Sequence, residues 1–169
     1  MVESLTRVWI RRVRRDDFEW LHDLWRAREV RRYLFDDVEI SVDDASDMFD
    51  QGMAHAALWG GGFWAILELG GGPAIGFVGL WRKTNDEAPE LIFGLAPTHW
   101  GRGYASEAAR RVIHFAFNEL RADRLRASTD PPNSASRRLL ERLGMRLVPP
   151  VEHSAPSLLN FEITREEWG

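Results

Sequence analysis

Apolar positions along the chain change period several times, and each change predicts an element. RVWIRRVRR reads as a first strand with a basic tail. Phe18, Leu21, Leu24 and Trp25 then recur at helical spacing, with Asp16 as the predicted cap and VRRYLF ending the segment. Ser41 followed by Asp44 resembles a capping box and predicts a second, acidic helix with a solvated charged face. Phe63–Leu69 and Ala74–Trp81 are apolar runs on either side of Gly70-Gly71-Gly72-Pro73, which predicts a hairpin.

KTNDEAPE reads as a loop, ELIFGL as a fourth strand and APTHWGRG as a turn. From Tyr104 to Leu120 the positions Ala105, Ala109, Val112, Ala116 and Leu120 follow helical spacing, with Ala108, Ile113 and Phe117 beside them. RLRAS is a short strand, TDPPN a turn, Ser134–Leu143 a helix stopped by Gly144, and LLNFEIT a last strand. The predicted order is βααβββαβαβ, with a further optional strand around Met145–Val148. Hairpins come first and strand–helix alternation later, which predicts a mixed sheet covered by helices, an α+β (mixed α/β) fold. No repeat or linker interrupts it, so residues 1–169 are expected to form one domain.

Charge and composition narrow the functions. A net charge of −4 argues against a general nucleic-acid binder. The absence of cysteine excludes a thiol nucleophile and cysteine-ligated zinc, and fits a cytoplasmic protein. MVESLTRVWIRR lacks the apolar stretch of a secretory leader. Ala57–Trp81 is long enough to span a bilayer and carries one charge, Glu68, but its eight glycines and one proline favour paired strands over a membrane helix. His22, His55, His99, His114 and His153 show no metal-ligand spacing, so no metal is expected.

HWGRGYASEA places two glycines and an arginine directly before a helix. A dinucleotide turn would need a third glycine where Ser106 stands, and a P-loop would need a lysine where Tyr104 stands. What remains is a helix start whose backbone N–H groups, from Arg102 to Ser106, suit a pyrophosphate. A second segment, DPPNSASRRLLERLGM, puts Asn133 after a strand and Ser136 one turn on.

W-G-R-G-Y-A-S-E-A, then N-x-x-S about thirty residues later, then a helix ending in Leu-Gly-Met, resembles the GNAT superfamily of acyl-CoA-dependent N-acetyltransferases. VRRYLF, GFVGLW and FEITREEW are similar to its Rim-type branch, which acetylates protein N-termini and small amines. The resemblance covers nearly the whole chain. It implies a mostly antiparallel mixed sheet of six to seven strands with helices on both faces. It implies acetyl-CoA as cosubstrate, an amine as acceptor, no nucleic-acid or membrane partner, and a monomer or homodimer.

The family's acyl-CoA signature reads Trp100-Gly101-Arg102-Gly103-Tyr104-Ala105 here, with Trp100 where Arg or Gln is usual. By resemblance, Arg102–Ser106 cradle the CoA pyrophosphate, Leu95, Ala96 and Pro97 lie along the pantetheine, the Leu95 N–H faces the thioester oxygen, and Asn133 hydrogen-bonds the pantetheine arm. The tyrosine that protonates the leaving thiolate in many members is replaced by Leu140. Ser136 is the nearest hydroxyl by motif and becomes the candidate acid. A thiol with a reference pKa near ~8.5 needs that proton only modestly. Glu90 corresponds to a catalytic glutamate in some members and is the candidate base, either through water or through a bulge shortening the strand. Trp25, Tyr33, Phe35, Trp59 and Trp64 are candidate acceptor-site aromatics, between the N-terminal helices and the last hairpin. Two alternatives remain: a CoA-binding module that has lost catalysis, and a transferase for longer acyl chains.

Overall fold

The computed structural model describes residues 6–151 and 154–169. The first five residues, on which part of the leader reading rests, and His153 lie outside the described residues. The elements are β1 (Val8–Arg12), α1 (Phe18–Arg26), α2 (Arg28–Leu34), α3 (Val42–Trp59), β2 (Gly62–Glu68), β3 (Gly76–Trp81), β4 (Glu90–Leu95), α4 (Tyr104–Asn118), β5 (Arg124–Thr129), α5 (Ser134–Arg142), β6 (Arg146–Val148), β7 (Leu159–Thr164) and α6 (Arg165–Trp168). Seven strands form one sheet in the order β1-β2-β3-β4-β5-β7-β6. Its neighbours are antiparallel except β4 and β5, which run parallel.

The central strands are apolar on both faces because helices cover both. Phe63, Ala65 and Leu67 of β2 and Phe77 of β3 enter a core shared with Leu21, Leu24 and Trp25 of α1, Val30 of α2, and Ala45 and Phe49 of α3. The alternate residues Trp64, Ile66, Val78 and Leu80 enter a second core with Ala109, Val112 and Ala116 of α4 and Leu139 and Leu140 of α5. At Gly62, with φ +81°, a Cβ would stand 2.2 Å from the carbonyl oxygen of Gly52. A side chain there would push α3 off the sheet, so glycine sets how closely the helix lies on β2.

The N-terminal helices differ from expectation. Asp17, not Asp16, organises the entry. Its carboxylate accepts from the Arg14 N–H at 2.6 Å, the Trp20 indole at 2.8 Å and the Arg11 guanidinium at 2.7 and 2.9 Å. The short 3₁₀ turn Arg15–Asp17 turns Asp16 out to solvent. VRRYLF does not merely end the first helix. Ala27, at ψ 127°, breaks it and α2 begins at the next residue. The Ser41 hydroxyl does cap α3, accepting from the Asp44 N–H at 3.1 Å. The optional seventh strand is present as β6. Ala57–Trp81 is the end of α3 followed by a hairpin, and no helix among the described residues is long and apolar enough to cross a membrane.

Candidate active site

β4 and β5 are each six residues long, yet they are registered at a single position, Glu90↔Arg126. Beyond it the two strands part toward their carboxyl ends, Leu95 and Thr129. A crevice outside the carboxyl ends of parallel strands is where α/β sheets bind ligands. The turn after Leu95 and the turn before Asn133 both leave that edge and bracket the gap.

Backbone alternation supplies donors to the gap. The Ala96 N–H bonds the Ile75 carbonyl at 2.8 Å on the β3 side, and the Pro89 carbonyl accepts from Arg126 at 3.0 Å on the β5 side. Odd-numbered residues of β4 therefore direct their N–H groups toward β5, which puts those of Phe93 and Leu95 on the gap. The Leu95 carbonyl accepts the Trp100 indole N–H at 2.8 Å, so Trp100 braces the turn where the family's Arg or Gln is usual.

Gly101 and Gly103 have φ +74° and +77°, left-handed conformations that glycine adopts without strain. Gly103 is the N-cap of α4 and offers no capping side chain. The N–H groups of Tyr104, Ala105 and Ser106 therefore open on the turn with the positive end of the helix dipole behind them.

Residues that sequence spacing did not reveal surround this turn. Arg7 donates to the Arg102 carbonyl, its backbone N–H bonds Glu107 Oε1 at 2.8 Å, and its guanidinium lies 5.5 Å from the Tyr104 ring centroid. Glu68 accepts from the Tyr104 hydroxyl at 3.0 Å and lies 3.8 Å from both Arg102 and His99. Glu68 ends β2 and Arg7 precedes β1, both distant in sequence from the turn, so no local pattern marks them.

On the other side of the gap, Asn133 Oδ1 accepts from the Ser136 N–H at 3.2 Å and caps α5. Its Nδ2 remains available among the described residues. Thr129, at the end of β5, is 6% exposed and its Oγ1 has no partner among the described residues. An orphaned buried hydroxyl, an uncapped helix start and an amide donor around one gap fit the amides and pyrophosphate of a CoA arm. Leu140, at the position of the family tyrosine, is on the buried face of α5, in the core. Ser136 stands one turn before it, half-buried.

Glu90 lies at the far end of β4. Its register partners make a row across one sheet face: Trp81, Glu90, Arg126, Glu162, Arg146. The Ser128 hydroxyl donates to Glu90 Oε1 at 2.7 Å. Register runs unbroken from Glu90↔Trp81 to Leu95↔Gly76, so no bulge shortens β4. The path from Glu90 to Leu95 is about 16 Å, and that to Phe93 about 10 Å. Glu90 and Leu95 are not brought together, and Phe93 supplies the nearer N–H on the gap.

This face opens on a cleft of about 1080 Å³ lined by Trp59, Trp81, Arg82, Glu90, Ser128 and Leu158, among others. Of the five aromatics expected there, only Trp59 lines it. Trp25 is fully buried against Phe35, Phe63 and Phe77, Trp64 packs in the core under Arg12, and Tyr33 lies beside Arg32. Trp81, which the expectation missed, stacks on His55 at 4.4 Å. Burial, then the charge of Arg82, pushes the His55 imidazole below its ordinary value. Among the described residues no group of three or more His, Asp or Glu is placed to hold a metal ion.

Residues 7–146 match the family model described as an acetyltransferase (GNAT) domain. The chain is 29% identical over 143 residues to the uncharacterized N-acetyltransferase p20 of Bacillus licheniformis, covering 83% of this chain and 79% of that one. It is 43% identical over 61 residues to YkkB of Bacillus subtilis, a match spanning only 36% of either chain. Among solved structures, an acetyltransferase from Agrobacterium tumefaciens superposes with a TM-score of 0.83 at 27% identity, over 93% of this chain and 90% of that one. Spermidine N-acetyltransferase from Vibrio cholerae, solved with CoA and spermine, shares the fold at TM-score 0.79 and 18% identity, over 96% and 98% of the two chains.

Proposed function

The chain belongs to the GNAT family of N-acetyltransferases, and from that premise we propose that it transfers acetyl from acetyl-CoA to a primary amine by direct attack in a ternary complex. The parted β4–β5 pair carries this reading, because a helix start suited to an anion follows the carboxyl end of β4 while the carboxylate-bearing cleft lies at its amino end. Within the family, WGRGYASEA and VRRYLF support the Rim-type branch.

Bound acetyl-CoA supplies the activated acyl group. Tyr104, Ala105 and Ser106, with Gly101, Arg102 and Gly103, hold its pyrophosphate through backbone N–H groups and the Arg102 charge. Ala96, Pro97 and Trp100 shape the channel wall. Asn133 Nδ2 and Thr129 Oγ1 bind amides of the pantetheine arm. The N–H groups of Phe93 and Leu95 are the donors for the carbonyl oxygen as it gains charge. Glu90, oriented by Ser128, takes a proton from the acceptor ammonium through water, which frees the nitrogen lone pair for attack. Ser136 is the hydroxyl nearest the leaving sulfur by motif. Leu140 leaves no tyrosine for that step, and a thiol leaves readily as thiolate near neutral pH.

The test is release of free thiol from acetyl-CoA against a panel of amines, with product mass to confirm acetylation. Amine-dependent release supports the reading. Tight acetyl-CoA binding without amine-dependent release would instead identify a CoA-binding module. Faster release from longer acyl thioesters would move the acyl preference.

A further inference from the structure

The charges around Glu90 bear on what the amine acceptor carries, an inference that rests on the transferase reading above. Glu90 and Arg126 are register partners on neighbouring strands, about 4.8 Å apart. Partners in one register share a face, so both side chains address the cleft. Arg126 is held by Glu162 at 3.3 Å, and Arg124 and Arg146 reach the same carboxylate at 3.5 and 3.4 Å. Glu162 is 7% exposed. Arg146 has a second acidic partner, Glu167, at 2.8 Å. Three guanidiniums thus share two carboxylates, and the surplus positive charge sits where Arg124 and Arg126 stay partly open to the cleft.

The opposite wall adds to it. The Arg82 guanidinium lies 4.2 Å from the Trp59 ring centroid and donates to Asn85 at 3.2 and 3.4 Å, and its Nε is buried with no partner among the described residues. The other acids lining the cleft are Asp86, Glu87 and Asp123. Asp123 is 93% exposed and pairs with Arg165, Glu87 accepts the backbone N–H of Lys83 at 3.1 Å, and among the described residues neither Asp86 nor Glu87 forms an ion pair with Arg124 or Arg126. Beside Glu90 the cleft is therefore an acid–base pair of opposite charge: a carboxylate for an amine and, one strand over, guanidiniums for an anion.

We infer that the acceptor is a free amino acid, its amine linked to Glu90 through water and its carboxylate, a few bonds away, held by Arg126 with Arg124 behind it. The planar fork of arginine suits a carboxylate. A polyamine would place its second cation against these guanidiniums. A peptide N-terminus presents an amide where the carboxylate would be. In the transfer, the ammonium first gives one proton to Glu90 through water, the neutral amine nitrogen forms the C–N bond, the thioester C–S bond breaks with the electron pair leaving on sulfur, and the second nitrogen proton ends on the thiolate or in water.

The experiment compares kcat/KM for aspartate, leucine and phenylalanine with that for each α-carboxamide, and with spermidine, at saturating acetyl-CoA. At least one free acid should exceed its carboxamide tenfold or more. In Arg126→Gln that ratio should fall at least tenfold, and Arg126→Lys should restore part of it. Calorimetric acetyl-CoA binding by each variant confirms that it is folded. Carboxamides or spermidine acetylated as well as the free acids would overturn the inference while leaving the transferase reading intact. No acetylation of any of these amines by protein that binds acetyl-CoA would overturn the inference, and the transferase reading falls with it only if the wider amine panel also gives no thiol release.

Discussion

The Ser128 hydroxyl donates to Glu90 Oε1 at 2.7 Å, from one strand to the other of a pair that touches in register only beside them. The bond fixes the carboxylate on the cleft face of the sheet. It also leaves the second oxygen to address a proton.

Glu90→Gln keeps the shape and removes the base. Its kcat should fall ~10²-fold or more near pH 7 and partly recover at high pH, where the amine is already neutral. Ser128→Ala should lower kcat by less. A Glu90→Gln variant whose pH–rate profile matches the parent would show that another group takes the proton.

Gly103→Val should abolish acetyl-CoA binding while the chain still folds. A side chain at φ +77° costs about 1–2 kcal/mol of backbone strain, and its Cβ would stand 2.9 Å from the Arg7 guanidinium. Thermal melting and calorimetry check the two halves. Near-native affinity would remove this turn from the cofactor site.

Asn133 has two ends with separate duties. Asn133→Asp keeps the oxygen that caps α5 and removes the Nδ2 donor, so acetyl-CoA affinity should drop by ~1–3 kcal/mol with little loss of stability. Asn133→Ala should lose affinity and also ~1 kcal/mol of stability, as the cap goes. Equal affinity in the parent and the aspartate variant would leave Asn133 with capping alone.

Thr129→Val replaces an orphaned hydroxyl by a methyl group of similar size. The free protein should be as stable as the parent or more so, because a buried polar atom without a partner is removed. Acetyl-CoA binding should weaken by ~0.5–1.5 kcal/mol. A clear stability loss with unchanged affinity would place the hydroxyl's partner inside the fold.

Asp17 predicts how the fold responds to acid. Burial pushes its carboxyl up, but hydrogen bonds from Arg11, Trp20 and the Arg14 backbone outweigh burial and hold it at about 2, below its ordinary 3.8. A depressed carboxyl contributes stability above its unfolded value, and that contribution drains as pH falls from about 4 toward 2. Asp17→Asn should cost ~1.5–3 kcal/mol at neutral pH and show a flatter loss between pH 4 and 2 in urea melts.

Local pattern determined much of this protein. The helix from Tyr104, the Gly-Gly-Gly-Pro hairpin and the glycine turn at Gly101–Gly103 were legible because period, capping and turn chemistry act within a few residues. The same locality explains the family motif, which is one turn and one helix start. What sequence could not decide is what meets across the sheet. Trp25 and Trp64 read like Trp59 along the chain, but only register and helix placement decide which ring is core and which is wall. Asp16 and Asp17 are chemically identical, and the turn's rotation chose between them. Glu90, Arg126 and Glu162 are far apart in sequence and form one row because β4, β5 and β7 are neighbours. Strand pairing is a long-range choice. It set which charges share a face, and so which chemistry the cleft can offer.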